Sequence, residues 1–228
     1  MQKQDKFKDI RGVIIDLDGT MVHTAPDFHV AINRMRAEFN LAPLSIEIIT
    51  EFVGKGSEHL MRRVLGVDFS AAEVETQFEL ALATYQRHYL EINGQYSSIY
   101  PGVIEGLEAM REQGLKLACV TNKPISFALP LLEKKGLATY FELIYGGDSL
   151  PRKKPDPLPM LTVSHDFALE PYQLLAIGDS SNDAQAARAA GCCVVSVPYG
   201  YNHGQPVQSI DSDGIVDSLL IAAHLIAA

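Results

Sequence analysis

The 228-residue chain has no tryptophan and only three cysteines, and two of these, Cys192 and Cys193, are neighbours. That scarcity excludes a disulfide framework and leaves no cysteine spacing suited to a structural metal. It points to a reducing compartment, so the expected location is the cytoplasm. Basic residues are also scarce: 19 Lys and Arg stand against 28 Asp and Glu, a formal net charge of -9. Nonspecific association with nucleic acid or with an anionic membrane needs clustered Lys and Arg, so neither is expected as a partner. There is no run of about 18 apolar residues to span a bilayer. The opening MQKQDKFKDIRG lacks the apolar stretch of a secretion signal. What is present is an ordinary globular composition, 47% hydrophobic and 21% charged. A chain of this length supports one core with a smaller insertion.

From Ile10, the segment IRGVIIDLDGT is a short apolar run that ends in carboxylates, as expected of a strand buried on both faces of a parallel sheet. Similar runs occupy residues 115–122, 174–179 and 192–198. Helical patterns fill 102–113, 125–135 and 183–190, and each is followed by a glycine (Gly114, Gly136, Gly191) where a helix end favours a left-handed residue. This alternation predicts an α/β, doubly wound parallel-sheet core built from residues 1–21 and 98–228. Residues 22–97 show helical periodicity without a buried strand, with the longest helix expected over 71–91 and Ser70 placed to cap it. They are read as an all-helical cap domain inserted after the first strand. Open α/β sheets bind ligands beyond the carboxyl ends of their strands, so an insertion there would cover the site.

Asp16 and Asp18 flank Leu17 at the end of the first strand, and an extended backbone points both carboxylates to one side. Gly178-Asp179-Ser180-Ser181-Asn182-Asp183 repeats the pattern at the end of another apolar run. Four acids on one rim repel one another unless a cation joins them. Oxygen donors of this kind suit a hard divalent ion, and Mg²⁺ is the expected cofactor. Thr121 and Asn122 offer hydroxyl and N–H donors after another strand, and Lys154 adds a positive charge beside Pro155. Together these groups suit a phosphate.

Taken in order, Asp16-Leu17-Asp18-Gly19-Thr20, Thr121-Asn122, Lys154-Pro155 and Gly178-Asp179-Ser180-Ser181-Asn182-Asp183 resemble the four motifs of the haloacid dehalogenase superfamily of phosphohydrolases. Over roughly residues 10–205 the chain is similar to the bacterial phosphoglycolate phosphatases. That likeness includes Thr24-Ala25-Pro26-Asp27, Val53-Gly54-Lys55-Gly56, Thr121-Asn122-Lys123-Pro124 and Tyr199-Gly200-Tyr201-Asn202-His203-Gly204. The resemblance implies a Rossmann-like core with a helical cap. It also implies Mg²⁺-dependent hydrolysis of a small phosphorylated metabolite, 2-phosphoglycolate, through an aspartyl phosphate.

Under that resemblance Asp16 is the nucleophile and a metal ligand. Asp18 is the acid and base, its backbone carbonyl also reaching the metal, and Asp179 completes the metal set. Gly19, Thr121, Asn122 and Lys154 hold the phosphoryl group, and Asp183 supports Lys154 or a water. Lys55, between two glycines that let the backbone turn closely, is expected to meet the substrate carboxylate. Two other readings stay open. A phosphosugar mutase would isomerise a hexose phosphate without net phosphate release. A receiver-like domain would keep its phosphate for minutes, but such domains carry their acidic pair and phosphorylated Asp in the reverse chain order. The chain departs from the family pattern at Met21-Val22-His23-Thr24, where an imidazole replaces a carboxylate; His23 is expected to face solvent. Cys119 is expected to pack in a buried strand. Monomer and homodimer are equally compatible with the sequence.

Overall fold

The computed structural model describes residues 6–227. Strand β1 (Gly12–Ile15) is buried at all four positions, as its uninterrupted apolar sequence demands. The chain then leaves the sheet through β2 (Val22–His23) and the helices α1 (Ala25–Glu38), α2 (Ile46–Phe52), α3 (Ser57–Leu65) and α4 (Ala71–Ile92), returning along β3 (Ser98–Ile99). The remainder runs α5 (Val103–Glu112), β4 (Lys116–Val120), α6 (Ile125–Lys134), β5 (Leu143–Tyr145), α7 (Leu158–Phe167), β6 (Leu174–Gly178), α8 (Ser181–Ala190), β7 (Cys193–Ser196), β8 (Gly214–Ile215) and α9 (Leu219–Ala227). Among the described residues, no helix is long and apolar enough to cross a membrane.

Six strands form one parallel sheet in the order β5-β4-β1-β6-β7-β8. Because β1 lies between β4 and β6, Ile15 stands opposite both Cys119 and Ile177. The residues that follow these three strands therefore emerge side by side at one edge. Apolar side chains cover both faces: Leu107, Met110, Leu131 and Leu219 on one, Met160, Val163, Ala184 and Ala187 on the other. The α/β core matches the expected class, with Cys119 fully buried in β4. Four strands were expected and six are present. The additions, β5 and β8, are edge strands of three and two residues.

Helices α1 to α4 pack on one another around Ile32, Met35, Phe52, Met61, Val64 and Tyr89. The start of α4 is fixed by Ser70, whose N–H and hydroxyl both donate to the Glu73 carboxylate, at 2.9 and 2.7 Å. The two crossings to the core are bound together. Strands β2 and β3 pair antiparallel, and the buried Asp27 carboxylate accepts the N–H groups of Gly94 (2.9 Å) and Tyr96 (2.8 Å). Lys135, immediately after α6, donates to the Gly94 carbonyl at 3.0 Å, which ties the second crossing to the sheet domain.

Candidate active site

The ends of β1, β4 and β6 bring Asp16, Asp18, Thr121, Asn122, Lys154, Asp179 and Asp183 onto the wall of a cavity of about 40 Å³, roofed by residues from the helical unit. Asp16, Asp179 and Asp183 each present one carboxylate oxygen within 4.8 Å of the others. Burial raises the Asp16 carboxyl to about 7; the neighbouring Lys154 opposes this and Asp183 adds to it. Asp179 is raised as well, by burial first and then by the Asp16 and Asp183 charges. These buried oxygens, close enough to repel and matched by a single lysine, are a donor set that fits a hard divalent cation.

Lys154 is buried, and its ammonium donates to Asp16 Oδ1 (2.7 Å), Asp183 Oδ1 (2.6 Å) and the Val120 carbonyl (2.6 Å). Burial works against this charge, yet Asp16 and Asp183 outweigh it and hold the amine protonated. Asp183 is in turn fixed by the Ser180 hydroxyl, which donates to its second oxygen at 2.7 Å. Asp179 accepts from the Thr20 hydroxyl at 3.1 Å and from the Tyr201 N–H. Any side chain at Gly19 or Gly200 would overlap the Asp179 carboxylate, so both glycines are steric requirements of the acidic cluster.

The Asn122 side-chain amide donates to the carbonyls of Gly54 (3.0 Å) and Lys154 (2.8 Å), which leaves its backbone rather than its side chain for a phosphoryl oxygen. The Gly54 carbonyl also accepts from Asn182 at 3.2 Å, so two core asparagines hold the roof loop. Lys55 is exposed and does not line the cavity; its neighbours Gly54, Gly56 and Ser57 do. His23 is half-buried rather than solvent-facing: its Nδ1 lies 2.8 Å from the Tyr201 hydroxyl and 3.1 Å from that of Tyr100. Burial lowers its pKa below the usual imidazole value.

Lys123 was given no role by the sequence. Its buried ammonium donates to both oxygens of Asp18, at 3.1 and 3.2 Å, and to the Tyr89 hydroxyl at 2.7 Å. It lies over the rings of Phe28 and Tyr89, 4.5 and 4.6 Å from their centroids. Its position next to Thr121-Asn122 was the available signal, but the partners that define it come from α1 and α4.

Comparison with known proteins places this geometry. Residues 13–197 match the model of the haloacid dehalogenase-like hydrolase family. The chain is 48% identical over 217 residues to a phosphoglycolate phosphatase of Thiobacillus denitrificans, covering 95% of this chain and 96% of that protein. A phosphoglycolate phosphatase of Nitrosospira multiformis matches with the same identity and coverage. Among solved structures, a predicted phosphoglycolate phosphatase from Haemophilus somnus superposes with a TM-score of 0.91 at 35% identity, covering 95% of this chain and 98% of that one. Matched across nearly its whole length, the chain belongs to the haloacid dehalogenase-like hydrolases and is a phosphoric monoester hydrolase.

Proposed function

We propose that the protein is a Mg²⁺-dependent phosphatase that hydrolyses 2-phosphoglycolate to glycolate and phosphate through a phosphoryl group carried on Asp16. The observation that carries this reading is the convergence of three buried carboxylates within 4.8 Å of one another, with an ammonium bound to the one that ends β1. Asp16 attacks phosphorus, dividing one difficult displacement into two easier ones. Asp18 gives a proton to the leaving alkoxide and then takes one from the attacking water, and Lys123 fixes its carboxylate in place. Lys154, the Thr121 hydroxyl and the Asn122 backbone balance the charge on the phosphoryl oxygens. Asp16 and Asp179 would hold Mg²⁺ together with the Asp18 carbonyl, and the ion supplies charge neutralisation between nucleophile and phosphate. Residues 22–97 act as the cap that closes over this chemistry. The three cysteines, free and buried, are consistent with a cytoplasmic enzyme.

The choice of substrate is supported by the phosphoglycolate phosphatases to which the chain is 48% identical over nearly its whole length. A panel of phosphate esters assayed with Mg²⁺ and with EDTA tests the reading. In kcat/KM, 2-phosphoglycolate is expected to exceed glucose 6-phosphate by about 10²-fold or more, an effect of the size expected when a closed site excludes a bulkier group. EDTA is expected to abolish turnover. Equal rates across the panel would remove the assignment of 2-phosphoglycolate.

A second test uses pH. The folded Asp16 carboxyl, raised to about 7, holds its proton more tightly than the unfolded side chain at 3.8. Its contribution to metal-free stability is therefore lost as the pH rises from about 4 to about 7. Ligation requires the deprotonated form, so Mg²⁺ binding strengthens over the same interval. At pH 7.5, Mg²⁺ at a hundred times its Kd should stabilise the fold by about 2.7 kcal/mol, a rise of several degrees in Tm. The same MgCl₂ concentration at pH 5.5 should give a smaller rise. Equal shifts at both pH values would contradict metal ligation by Asp16.

A further inference from the structure

We infer that the Tyr85 hydroxyl, presented by α4 from the roof of the cavity, binds the non-transferred carboxylate of the substrate and sets selectivity for it. This rests on the reading of the substrate as a carboxylated two-carbon ester. With the phosphoryl group at Asp16, the other end of such an ester meets the residues that the helical unit contributes. Phe28, Val53 and Leu60 are apolar, and only Ser57 and Tyr85 bring side-chain hydroxyls to that wall.

Tyr85 is fully buried, and among the described residues its hydroxyl has no partner within hydrogen-bonding distance, although the Ser57 side chain is close by. Buried phenol groups ordinarily find a partner, and one left unpaired is a penalty that a ligand removes. The contrast with Tyr89, one turn further along α4, is informative. The two rings lie 5.6 Å apart, yet the Tyr89 hydroxyl is satisfied by Lys123 at 2.7 Å while that of Tyr85 lines the cavity unpaired.

The surroundings keep the hydroxyl a donor and place positive groups beside the carboxylates already there. Burial, reinforced by the Asp18 charge, pushes the Tyr85 phenol well above its ordinary pKa, so it remains a donor. The Lys123 ammonium stands on the same cavity wall. Helix α3 begins at the cavity with Gly56 and Ser57, and no side chain caps its first turn, so its N–H groups and positive dipole end add to the attraction. A carboxylate oxygen is the acceptor this set fits. Exposed Lys55 lies outside it.

The test is Tyr85→Phe, assayed on 2-phosphoglycolate and on ethyl phosphate, in which a methyl group replaces the carboxylate. The ratio of kcat/KM for the two esters is expected to fall about tenfold or more, the effect of losing a hydrogen bond to a charged group. The loss on 2-phosphoglycolate should appear mainly in KM. Because the hydroxyl has no partner within hydrogen-bonding distance among the described residues, Tm should not fall. An unchanged ratio would overturn the assignment, as would equal losses on both esters accompanied by a lower Tm. A wild-type preference for 2-phosphoglycolate that survives the substitution removes Tyr85 alone. A wild-type enzyme with no such preference removes the proposed substrate and the Tyr85 assignment together.

Discussion

Asp16→Asn is expected to lower kcat on 2-phosphoglycolate by at least about 10⁴-fold, the scale on which enzymes lose rate when a covalent nucleophile is removed. The amide keeps the shape of the side chain but cannot form an acyl phosphate. The fold should survive, because Lys154 keeps its 2.6 Å contact with Asp183 and its bond to the Val120 carbonyl when Asp16 loses its charge. Neutralising a carboxylate that burial has already raised to about 7 also removes a charge that is unfavourable in the metal-free protein. Phosphate-release assays beside circular dichroism separate the two outcomes. Unaltered secondary structure with no phosphate release agrees with Asp16 as nucleophile; retained release contradicts it.

Lys154→Met should combine loss of activity with loss of stability. The lysine is the sole cation within hydrogen-bonding distance of Asp16 and Asp183 among the described residues. Removing one member of a buried charge set leaves the others uncompensated and costs about 3–5 kcal/mol. For a chain of this length that is a drop in Tm of roughly 10 °C. Urea denaturation with and without MgCl₂ checks the mechanism: a divalent ion should restore part of the lost stability by neutralising the same carboxylates. A variant as stable as wild type would show that the ammonium does not balance this cluster.

The two substitutions concern residues that were legible in the sequence, and for Asp16 the reason is topological. A parallel sheet delivers the residue after each strand to one edge. Acids at 16, 18, 179 and 183, with Thr121, could therefore be assigned to one place once the strands were identified by their apolar runs. Lys154, by contrast, follows no strand visible in the sequence and was assigned through the resemblance of Lys154-Pro155 to a family motif. The glycines after α5, α6 and α8 were readable on similar grounds, since Gly114, Gly136 and Gly191 all adopt positive φ. Strands β5 and β8 were not legible. Three-residue Leu143–Tyr145 and two-residue Gly214–Ile215 are too short to show a period, and they exist because β4 and β7 offer them an edge.

Side-chain roles set by the helical unit were also hidden. Lys123 has no evident role until Tyr89 and Phe28 come over it from the roof. His23 reads as exposed until Tyr100 and Tyr201 arrive from segments far along the chain. The roof loop itself misled in a specific way. Its only charged residue, Lys55, attracts attention, whereas Gly54 contributes a carbonyl that two asparagines hold, and Gly56 and Ser57 line the cavity. Backbone groups carry no residue-type signal, so the part of the site built from them cannot be found by inspecting side chains.

The direct test of the account is to trap the phosphorylated enzyme. Mixing the protein with Mg²⁺ and 2-phosphoglycolate, quenching in acid and reducing with borohydride converts an aspartyl phosphate to homoserine, which peptide mass spectrometry locates. Homoserine at position 16 is the predicted result. Homoserine at any other carboxylate, Asp179 or Asp183 included, would contradict the assignment of residue 16 as the group that takes the phosphate.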